Sequence, residues 1–404
     1  MNDQSTDLSY DYVIVGAGIA AAAAVKGIRA LDETGTVAIF GAESDAPVYR
    51  PDLSKTLWLE ADKELGDSRL LDDETSVTER YGAAVASVAP TEHQLSLADG
   101  TTVGFGKLLL ATGSRPRVGG IQPGDRVVYY RTAADYRRLR ELAKPGAHIA
   151  VVGGGYIGSE IAAALSQNDI RVTLVVPDEL VLQHMLPESL ARHATEALQA
   201  HGVTIVHGSL DSGSASDADV TLQLTDGTEI TADAAVVGIG ATPETALAEA
   251  AGIGVDNGIV VDETLRTGAA DVYAAGDVAS YPDALLGRRR VEHADAAESM
   301  GEAAGRSMAG AVDAYTHTPF FWSDLYDDGY EAIGETSTAL VTFEDWNDDR
   351  TAVVVYYLTD AGKVRGALLW NTWDSVPKAQ AVIAETASTP VSDPSELKGR
   401  IPPG

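Results

Sequence analysis

The chain has 404 residues, of which 45% are hydrophobic and 40 are glycine, so we expect two or three packed units of α/β structure with many tight turns. The formal net charge of −31 argues against nucleic acid and anionic membrane surfaces as partners, because an acidic field repels both. The sequence contains no cysteine, which excludes electron relay through a cysteine pair.

The amino-terminal stretch MNDQSTDLSY has neither a basic segment nor an apolar core of the kind found in export signals. No run of about 18 apolar residues without a charge occurs, so the sequence predicts no membrane span. We therefore expect a cytoplasmic protein.

The first predicted βα unit has a strand at 12–15 that leads into an alanine-rich helix. Between them Gly16, Gly18 and Ala21 form a G-x-G-x-x-A turn. Glycines in such a turn let a pyrophosphate approach the backbone, and the N–H groups at the start of the helix attract its negative charge. Glu43 lies about 20 residues beyond the turn, where a dinucleotide site places an acid for the adenosine ribose. A solvated loop acid is the alternative for Glu43.

A second strand is predicted at 107–110 and ends in the sharp turn 111–113. Thr112 and Gly113 of this turn are candidate cofactor contacts.

The second βα unit repeats the pattern of the first, with a strand at 149–152 and the glycines Gly153, Gly155 and Gly158 before an amphipathic helix. Two such turns between strand and helix indicate two dinucleotide sites, and ordinary strand-to-helix turns are the alternative. Asp178 lies about 20 residues further on, with no Lys or Arg beside it. A 2′-phosphate would meet like charge there, so we expect NADH to be preferred over NADPH.

Two later strands, in DAAVVGIGATPE and DVYAAGDVAS, also end in turns. Asp277 follows Gly276 at the end of the second one. Its carboxylate can accept hydrogen bonds from hydroxyl groups of a ligand bound near the start of the next helix, and a simple helix cap is the alternative.

From about Tyr315 onward the sequence changes character, with four of the five tryptophans and alternating apolar strands such as TAVVVYYLTD and VRGALLW. This segment predicts a third, α+β domain. The closing residues, STPVSDPSELKGRIPPG, are rich in Pro, Ser and Gly and predict a loosely held tail.

Seven segments occur in order along nearly the whole chain: VIVGAGIA, YRPDLSKTLW, LLLATGSRPR, VVGGGYIGSE, YAAGDVAS, GRRRVEH and FFWSDLYDDGYEAIG. With them the sequence resembles FAD-dependent pyridine-nucleotide oxidoreductases of the apoptosis-inducing-factor and bacterial ferredoxin-reductase type, which lack the cysteine pair. The chain departs from the family pattern at Asp52, where a second proline is usual. It also departs at Glu43, which stands one residue later than the usual acid.

The resemblance implies an α/β fold with two Rossmann-like dinucleotide-binding domains, for FAD and for NAD, and a C-terminal α+β interface domain. The implied boundaries are 1–124 with 250–312 for the FAD domain, 125–249 for the NAD domain and 313–404 for the interface domain. The family often dimerises, so a homodimer is also implied.

The resemblance implies FAD contacts at Gly16, Gly18 and Asp277 and NAD contacts at Gly155 and Asp178. The further FAD contacts that it implies are Arg50, Lys55, Val85, Arg131 and His293. The further NAD contacts that it implies are Ile157, Glu160, Gly240 and Glu292. We add Tyr156, at the start of the second helix, as a candidate cofactor contact.

Four residues are candidates for a catalytic role. In the family, the lysine at Lys55 pairs with the glutamate at Glu160 beside the reacting nitrogen of the flavin, where a cation would stabilise the negative charge of reduced flavin. The resemblance also places His293 at the pyrimidine end of the flavin and uses Trp322 to shield its rings. Without the resemblance, Lys55 reads as a solvated charge, His293 as a capping or packing residue and Trp322 as core.

The reaction implied is hydride transfer from NADH to FAD, followed by transfer of electrons to an acceptor such as oxygen, a quinone or a small redox protein. One alternative is a reductase dedicated to a ferredoxin or rubredoxin that feeds an oxygenase. A second alternative is an NADH-sensing interaction protein with slow turnover. A nucleotide-binding scaffold without turnover fits less well, because both glycine turns and Lys55 are present.

Overall fold

The computed structural model of the chain describes residues 8–71 and 76–404. The chain folds into two compact units. The first unit comprises Met1–Arg50, Glu64–Arg115 and Thr242–Pro319, and the second comprises Pro51–Lys63, Pro116–Ala241 and Phe320–Gly404.

The described residues contain many short strands and fewer helices. The strands, numbered along the chain, are β1 (Leu8–Val15), β2 (Val37–Phe40), β3 (Val77–Arg80), β4 (Val85–Ala89), β5 (Gln94–Leu97), β6 (Thr102–Leu110), β7 (Ser114–Pro116), β8 (Val127–Tyr129), β9 (His148–Val152), β10 (Arg171–Val176), β11 (Thr204–His207), β12 (Leu210–Ala215), β13 (Val220–Leu224), β14 (Glu229–Ala232), β15 (Ala234–Val237), β16 (Ala241–Pro243), β17 (Ile259–Val260), β18 (Val272–Ala274), β19 (Ala279–Asp283), β20 (Gly287–Arg289), β21 (Phe320–Leu325), β22 (Asp328–Gly334), β23 (Val341–Trp346), β24 (Val353–Leu358) and β25 (Val364–Trp370). The α-helices are α1 (Ile19–Arg29), α2 (Thr56–Leu59), α3 (Ala133–Leu142), α4 (Tyr156–Ser166), α5 (Glu188–Ala200), α6 (Ala246–Ala250), α7 (Ala294–Met308) and α8 (Val376–Ser388).

The first unit is built on a sheet of order β3-β2-β1-β6-β5-β4, with β18 also paired to β6. The strands β3, β2, β1, β6 and β18 run parallel, whereas β5 and β4 are antiparallel. Ile14 and Leu109, which are register partners in β1 and β6, are fully buried. Continuous apolar runs form these strands because a parallel sheet is covered on both faces.

Helices α1 and α7 pack against each other through small residues. A Cβ added at Gly301 would lie 2.4 Å from the backbone oxygen of Ala20, and one added at Gly305 would lie 2.1 Å from that of Ala24. The run of alanines in α1 therefore does more than favour a helix. It allows the two helix backbones to approach one another.

The second unit contains a parallel sheet of order β11-β10-β9-β15-β8. Along the chain, an antiparallel ribbon of order β12-β13-β14 lies between β11 and β15. The same unit holds an antiparallel sheet of order β21-β22-β25-β24-β23, against which α8 packs. Every residue of β24 is buried. These sheets confirm the predicted fold class of two Rossmann-like parts and a C-terminal α+β part, while the three domain boundaries stay a prediction.

The predicted loose tail is wrong. Val391, Leu397 and Ile401 are buried, Leu397 and Ile401 completely. The backbone N–H of Gly399 donates to Asp345 Oδ2 at 2.6 Å, which holds the last residues near the end of β23. The composition misled because three apolar side chains, separated by Pro, Ser and Gly, suffice to anchor a short irregular segment.

Among the residues that the structure describes, no helix is both long enough and apolar enough to cross a lipid bilayer.

The packing of α1 on α7 yields a stability prediction. We expect Gly305→Ala to destabilise the first unit by about 1–3 kcal/mol, the usual cost of overpacking, because the new methyl group meets backbone that cannot turn away. Urea unfolding followed by circular dichroism measures this loss. Gly268→Ala is the control, since an added Cβ there has nothing within 4 Å. Equal midpoints for the two variants would contradict the close approach of the helices.

Candidate functional site

The first glycine turn links β1 to α1. Gly16 has φ +113°, and a Cβ at this position would lie 2.1 Å from the backbone oxygen of Ala111. Only glycine fits that position. Gly18 is the capping residue of α1 and has no side chain to accept the first N–H groups of the helix. The turn therefore offers backbone donors and the positive end of the helix dipole to a phosphate group.

A cation lies beside this turn. The Nε atom of Arg50 lies 4.0 Å from the position of a Cβ on Gly18. Arg50 Nη2 donates to Glu43 Oε1 at 2.6 Å, which holds the guanidinium in place. Glu43 thus has an arginine partner, and its predicted contact with the ribose stays a prediction. Ala21, the third position of the motif, is fully buried in α1.

Two further turns of the first unit lie at the same edge of its sheet, because β6 and β18 run parallel to β1 and next to one another. Thr112 Oγ1 donates to the backbone oxygen of Glu244 at 2.7 Å, which fixes the turn after β6. Asp277 lies in a short 3-10 turn after β18, where Ser114 Oγ donates to its Oδ2 at 3.0 Å. The carboxyl edge of a parallel sheet is where α/β proteins bind ligands.

The remaining candidates of the first unit are spread over other elements. Gly113 and Gly276 have φ angles of +67° and +78° in the turns just described. Val85 begins β4. Glu292 accepts from Arg290 Nη1 at 2.7 Å, and His293 precedes the first turn of α7.

The second glycine turn, in the second unit, has the same geometry as the first. Gly153 has φ +116°, and an added Cβ would lie 2.3 Å from the backbone oxygen of Gly238, at the end of β15. A Cβ on Gly158 would lie 1.8 Å from the backbone oxygen of Gly153, so the helix could not approach the turn with any larger residue. Gly155 caps α4 and has nothing within 4 Å of an added Cβ. These residues fit a second dinucleotide.

Large apolar side chains lie exposed around this turn. Tyr156 and Ile157, the first residues of α4, are each 39% exposed, and Ile239 is 37% exposed. Gly240 follows with φ +99°, and its oxygen accepts the N–H of Arg117 at 2.9 Å. An apolar surface next to backbone donors is typical of a site for a small organic ligand.

Asp178 lies just beyond β10 in the same unit, and its side chain is 30% exposed. Its Oδ2 lies 3.2 Å from Nε2 of His184, and its backbone oxygen lies 2.9 Å from Nδ1 of His207. The carboxylate therefore remains accessible to a ribose.

Lys55 and Glu160 form an ion pair, as the resemblance implied. Lys55 Nζ lies 2.5 Å from Glu160 Oε1, and Glu160 is 9% exposed on the second turn of α4. Two serines complete the coordination: Ser54 Oγ donates to Glu160 Oε2 at 2.6 Å and Ser323 Oγ donates to Oε1 at 2.5 Å. Desolvation raises the pKa of neighbouring Asp324, an effect that Lys55 opposes and Glu160 increases. The buried carboxylate is thus paired with one cation and two hydroxyl groups.

Sequence reasoning did not single out Ser54 or Ser323. Both stand inside quoted segments, Ser54 next to Lys55 and Ser323 in FFWSD. A hydroxyl group adjacent to a motif lysine was the only available signal, since the two serines reach Glu160 from distant parts of the chain.

Two other implied flavin contacts belong to the second unit. Arg131 precedes α3, and its backbone N–H donates to Asp135 Oδ2 at 3.1 Å. Trp322 lies half-buried in β21, with its ring centroid 5.9 Å from that of Phe320. Lys55, Arg131 and Trp322 are therefore in the second unit, whereas the other implied FAD contacts are in the first.

Comparison with known proteins finds matches over nearly the whole chain. The pyridine nucleotide-disulphide oxidoreductase family matches residues 10–301, and the mitochondrion-associated C-terminal domain of apoptosis-inducing factor matches 304–352. The chain is 36% identical over 394 residues to the ferredoxin–NAD(+) reductase component of the anthranilate 1,2-dioxygenase system of Burkholderia cepacia, covering 96% of each. It is 32% identical over 442 residues to apoptosis-inducing factor 1, mitochondrial, of Dictyostelium discoideum, covering 99% of this chain and 82% of that one.

Solved structures agree with these relatives. Putidaredoxin reductase, in its covalent complex with putidaredoxin, superposes with a TM-score of 0.85 at 26% identity, covering 94% of each chain. These matches show that the chain is an FAD-dependent NAD(P)H oxidoreductase, and the two glycine turns and the lysine–glutamate pair fit that class. The chain belongs to the pyridine nucleotide-disulphide oxidoreductase family, among its members of the apoptosis-inducing-factor and bacterial ferredoxin-reductase type. The resemblance drawn from the seven segments is confirmed.

Two histidines of the first unit provide a test of the electrostatics around α7. Burial, helped by the positive charge of Arg289, lowers the pKa of His293 to about 4 from an ordinary value of 6.5. His317 Nε2 lies 2.6 Å from Asp295 Oδ2, and this hydrogen bond raises the pKa of His317. We expect the ring of His293 to titrate near pH 4 and that of His317 above 6.5, as followed by NMR of ring nitrogens.

The two shifts act on stability with opposite signs. The unfolded chain takes up a proton on His293 before the folded chain does, so stability falls as the pH drops from 6.5 to about 4. The contribution of His317 is fully present below its unfolded pKa and is lost as the pH rises through its raised folded pKa. Coincident titration of both rings near 6.5 would contradict this account.

Proposed function

We propose that this chain takes a hydride from NADH onto bound FAD and passes the electrons to an external acceptor. The observation that carries the proposal is the pair of glycine turns with the same geometry, one in each unit, each of which closes on a backbone oxygen with no room for a side chain. Bound FAD supplies the redox chemistry, and the chain supplies binding, orientation and charge.

In the first unit, Gly16 and Gly18 offer the backbone to a pyrophosphate, and Arg50 adds a guanidinium beside the turn. The carboxylate of Asp277, at the same edge of the sheet, accepts hydrogen bonds from the ribityl hydroxyl groups. The further FAD contacts that we propose are Glu43, Val85, Thr112, Gly113, Arg131, Gly276 and His293, with Trp322 shielding the rings. Ala21, predicted as a cofactor contact, is fully buried and is not among them.

In the second unit, the turn Gly153, Gly155 and Gly158 receives the NADH pyrophosphate. The further NADH contacts that we propose are Tyr156, Ile157, Glu160, Asp178, Gly240 and Glu292. We prefer NADH over NADPH because the accessible carboxylate of Asp178 accepts ribose hydroxyl groups and repels a 2′-phosphate.

Lys55 supports reduction by placing a fixed positive charge where negative charge develops on the flavin. Glu160 and its two serine donors hold the ammonium group in place. A flexible surface lysine would lose side-chain entropy each time it adopted such a position, and the ion pair removes that cost in advance.

The acceptor is proposed from the relatives and from the composition of the chain. A ferredoxin is favoured as acceptor by the 36% identity to a ferredoxin–NAD(+) reductase component over 96% of both chains. A quinone or oxygen fits the absence of a cysteine relay equally well. The other candidate function is that of an NADH-sensing interaction protein with slow turnover. We also propose that the protein is a homodimer and lies in the cytoplasm.

An acceptor panel separates these candidates. NADH oxidation is followed with oxygen, quinones, ferricyanide and purified ferredoxins, each with either nicotinamide. NADH oxidation that becomes rapid only when a ferredoxin is added would identify a reductase dedicated to that ferredoxin. Very slow oxidation with every acceptor, together with a change of mass on adding NADH, would support the sensor. If the protein binds FAD but neither NADH nor NADPH bleaches the flavin absorbance under anaerobic conditions, the proposed function is contradicted.

The role of Lys55 makes a kinetic prediction. We expect Lys55→Met to slow the limiting rate of flavin reduction by NADH about 100-fold, in line with the loss of one electrostatic stabiliser of developing charge. Anaerobic stopped-flow absorbance measures the rate. Lys63→Met is the control, since Lys63 is an exposed lysine of the same segment. Equal rates for the two variants would return Lys55 to the role of a solvated charge.

The choice of nicotinamide makes another. We expect Asp178→Asn to lower kcat/KM for NADH about tenfold, through loss of a charge-assisted hydrogen bond, and to raise it for NADPH by removing a repulsion. Steady-state rates with both nicotinamides test this. Glu179→Gln removes a charge from the neighbouring exposed position and should leave the ratio of the two values unchanged. A ratio that stays constant in Asp178→Asn would exclude this carboxylate as the selector.

A further inference from the structure

The segment that carries Lys55 belongs to the second unit although the residues on both sides of it belong to the first. Pro51–Lys63 leaves the first unit after Arg50 and returns at Glu64. Its only α-helix, α2, has four residues. A single turn has almost no stability of its own, because nucleation fixes several residues for one hydrogen bond. Contacts with residues outside the segment must therefore hold Lys55 in position.

The short helix leaves carbonyl groups without partners inside it, and side chains of other elements supply the donors. Tyr136 OH, on α3, donates to the backbone oxygen of Leu57 at 3.2 Å. Asn168 Nδ2, just beyond the end of α4, donates to the backbone oxygen of Trp58 at 3.0 Å. These bonds satisfy the last carbonyl groups of α2 in the way that a C-cap would.

The orientation of the Asn168 amide is fixed by its surroundings. Its Nδ2 also donates to the backbone oxygen of Ala164 at 2.8 Å, so it lies between two acceptors. A carbonyl oxygen in that place would face two other oxygens. The site therefore needs a donor, and an amide nitrogen provides both bonds.

The bond from Asn168 reaches Lys55 through the backbone. The carbonyl of Lys55 accepts the N–H of Trp58 at 2.9 Å and that of Leu59 at 3.2 Å. Asn168 holds the carbonyl end of the Trp58 peptide, while the Trp58 N–H holds Lys55. The indole of Trp58 is fixed as well, by its own bond to the oxygen of Leu53 at 2.8 Å and by the guanidinium of Arg140, 4.7 Å from the ring.

Helix α4 and the residues just after it thus bind the segment at two places. Glu160 binds the side chains of Ser54 and Lys55, and Asn168, about two helical turns further on, binds the backbone of Trp58. We propose that Asn168 is a positioning residue for Lys55, fixing the place of its ammonium group for reduction of the flavin. This inference rests on the proposed function, because it assigns the ammonium group a part in hydride transfer.

The test compares two amide-to-acid changes at the end of α4. Asn168→Asp keeps the shape of the side chain and replaces the donor by a carboxylate. Gln167→Glu makes the same chemical change one residue earlier, where Nε2 of Gln167 donates to the oxygen of Ala163 within its own helix at 3.1 Å. Both changes place a negative charge at the carboxyl end of α4, so the helix dipole affects them alike.

We expect Asn168→Asp to slow the limiting rate of flavin reduction about tenfold, since a small misplacement of a catalytic group is costly. The NADH dissociation constant, from the same anaerobic stopped-flow titration, should change by less than about twofold, because the glycine turn at the start of α4 is untouched. Gln167→Glu should match the wild type in both. Equal rates in Asn168→Asp and Gln167→Glu would overturn the inference, as would a change confined to the dissociation constant.

A double-mutant cycle shows whether Asn168 acts through Lys55. In a Lys55→Met background, Asn168→Asp should slow reduction no further, whereas an independent or purely structural role would give multiplied effects. Tyr136→Phe, which removes one hydroxyl bond to the same helix, serves in place of Asn168→Asp if the acid prevents folding. It should slow reduction to a smaller extent and lose its effect in the Lys55→Met background. A wild-type protein that NADH does not bleach would instead contradict the proposed function.

Discussion

A buried carboxylate is the constraint around which the second unit is arranged. Glu160 is 9% exposed, and an unpaired negative charge at that depth would be strongly unfavourable. Its partners come from two parts of the sequence that are distant from α4: the segment Pro51–Lys63, which holds Ser54 and Lys55, and strand β21, which holds Ser323. Satisfying one carboxylate therefore ties together elements that share no sequence neighbourhood. The lysine that is held in this way is the one that the proposed chemistry requires.

The two glycine turns show a steric solution used twice. Gly16 closes on the oxygen that follows β6, and Gly153 closes on the oxygen that follows β15. In each case the obstructing oxygen belongs to the residue that follows the neighbouring parallel strand, so the pairing of the strands already excludes a side chain at the glycine. Gly158 adds a third contact of this kind between the helix and its own turn. The glycines thus fix the entry of each helix before any ligand is bound.

The parts of this structure that sequence predicted are those governed by local rules. Strands at 12–15, 107–110 and 149–152 are confirmed within β1, β6 and β9, because an apolar run followed by glycines leaves few alternatives to a strand and a turn. The pairing of Lys55 with Glu160 was available only through the family resemblance. Their separation of 105 residues leaves no spacing that physics alone could read.

Long-range hydrogen bonds account for most of what was missed. The bonds of Ser54 and Ser323 to Glu160 span 106 and 163 residues, and that of Asn168 to Trp58 spans 110. Serine and asparagine are ordinary surface residues, so nothing in their type marks them. The prediction of a loosely held tail was wrong for a related reason. Leu397 and Ile401 are buried by tertiary contacts, while the Pro and Ser residues around them give the segment the composition of a free end.

The absence of cysteine gives the fixed lysine its importance. With no cysteine pair to receive electrons inside the protein, the proposed route would lead directly from the reduced flavin to an external acceptor, and Lys55 would offset the negative charge of the reduced flavin until then. A counter-charge on a mobile side chain would stabilise that state only part of the time. Lys55 is held by the buried carboxylate of Glu160 on α4, and Asn168, just after α4, binds the backbone segment of the lysine. Its positive charge therefore stays in one place. In the proposed reaction this preorganised cation would offset the negative charge of the reduced flavin, while the electrons themselves leave for the external acceptor.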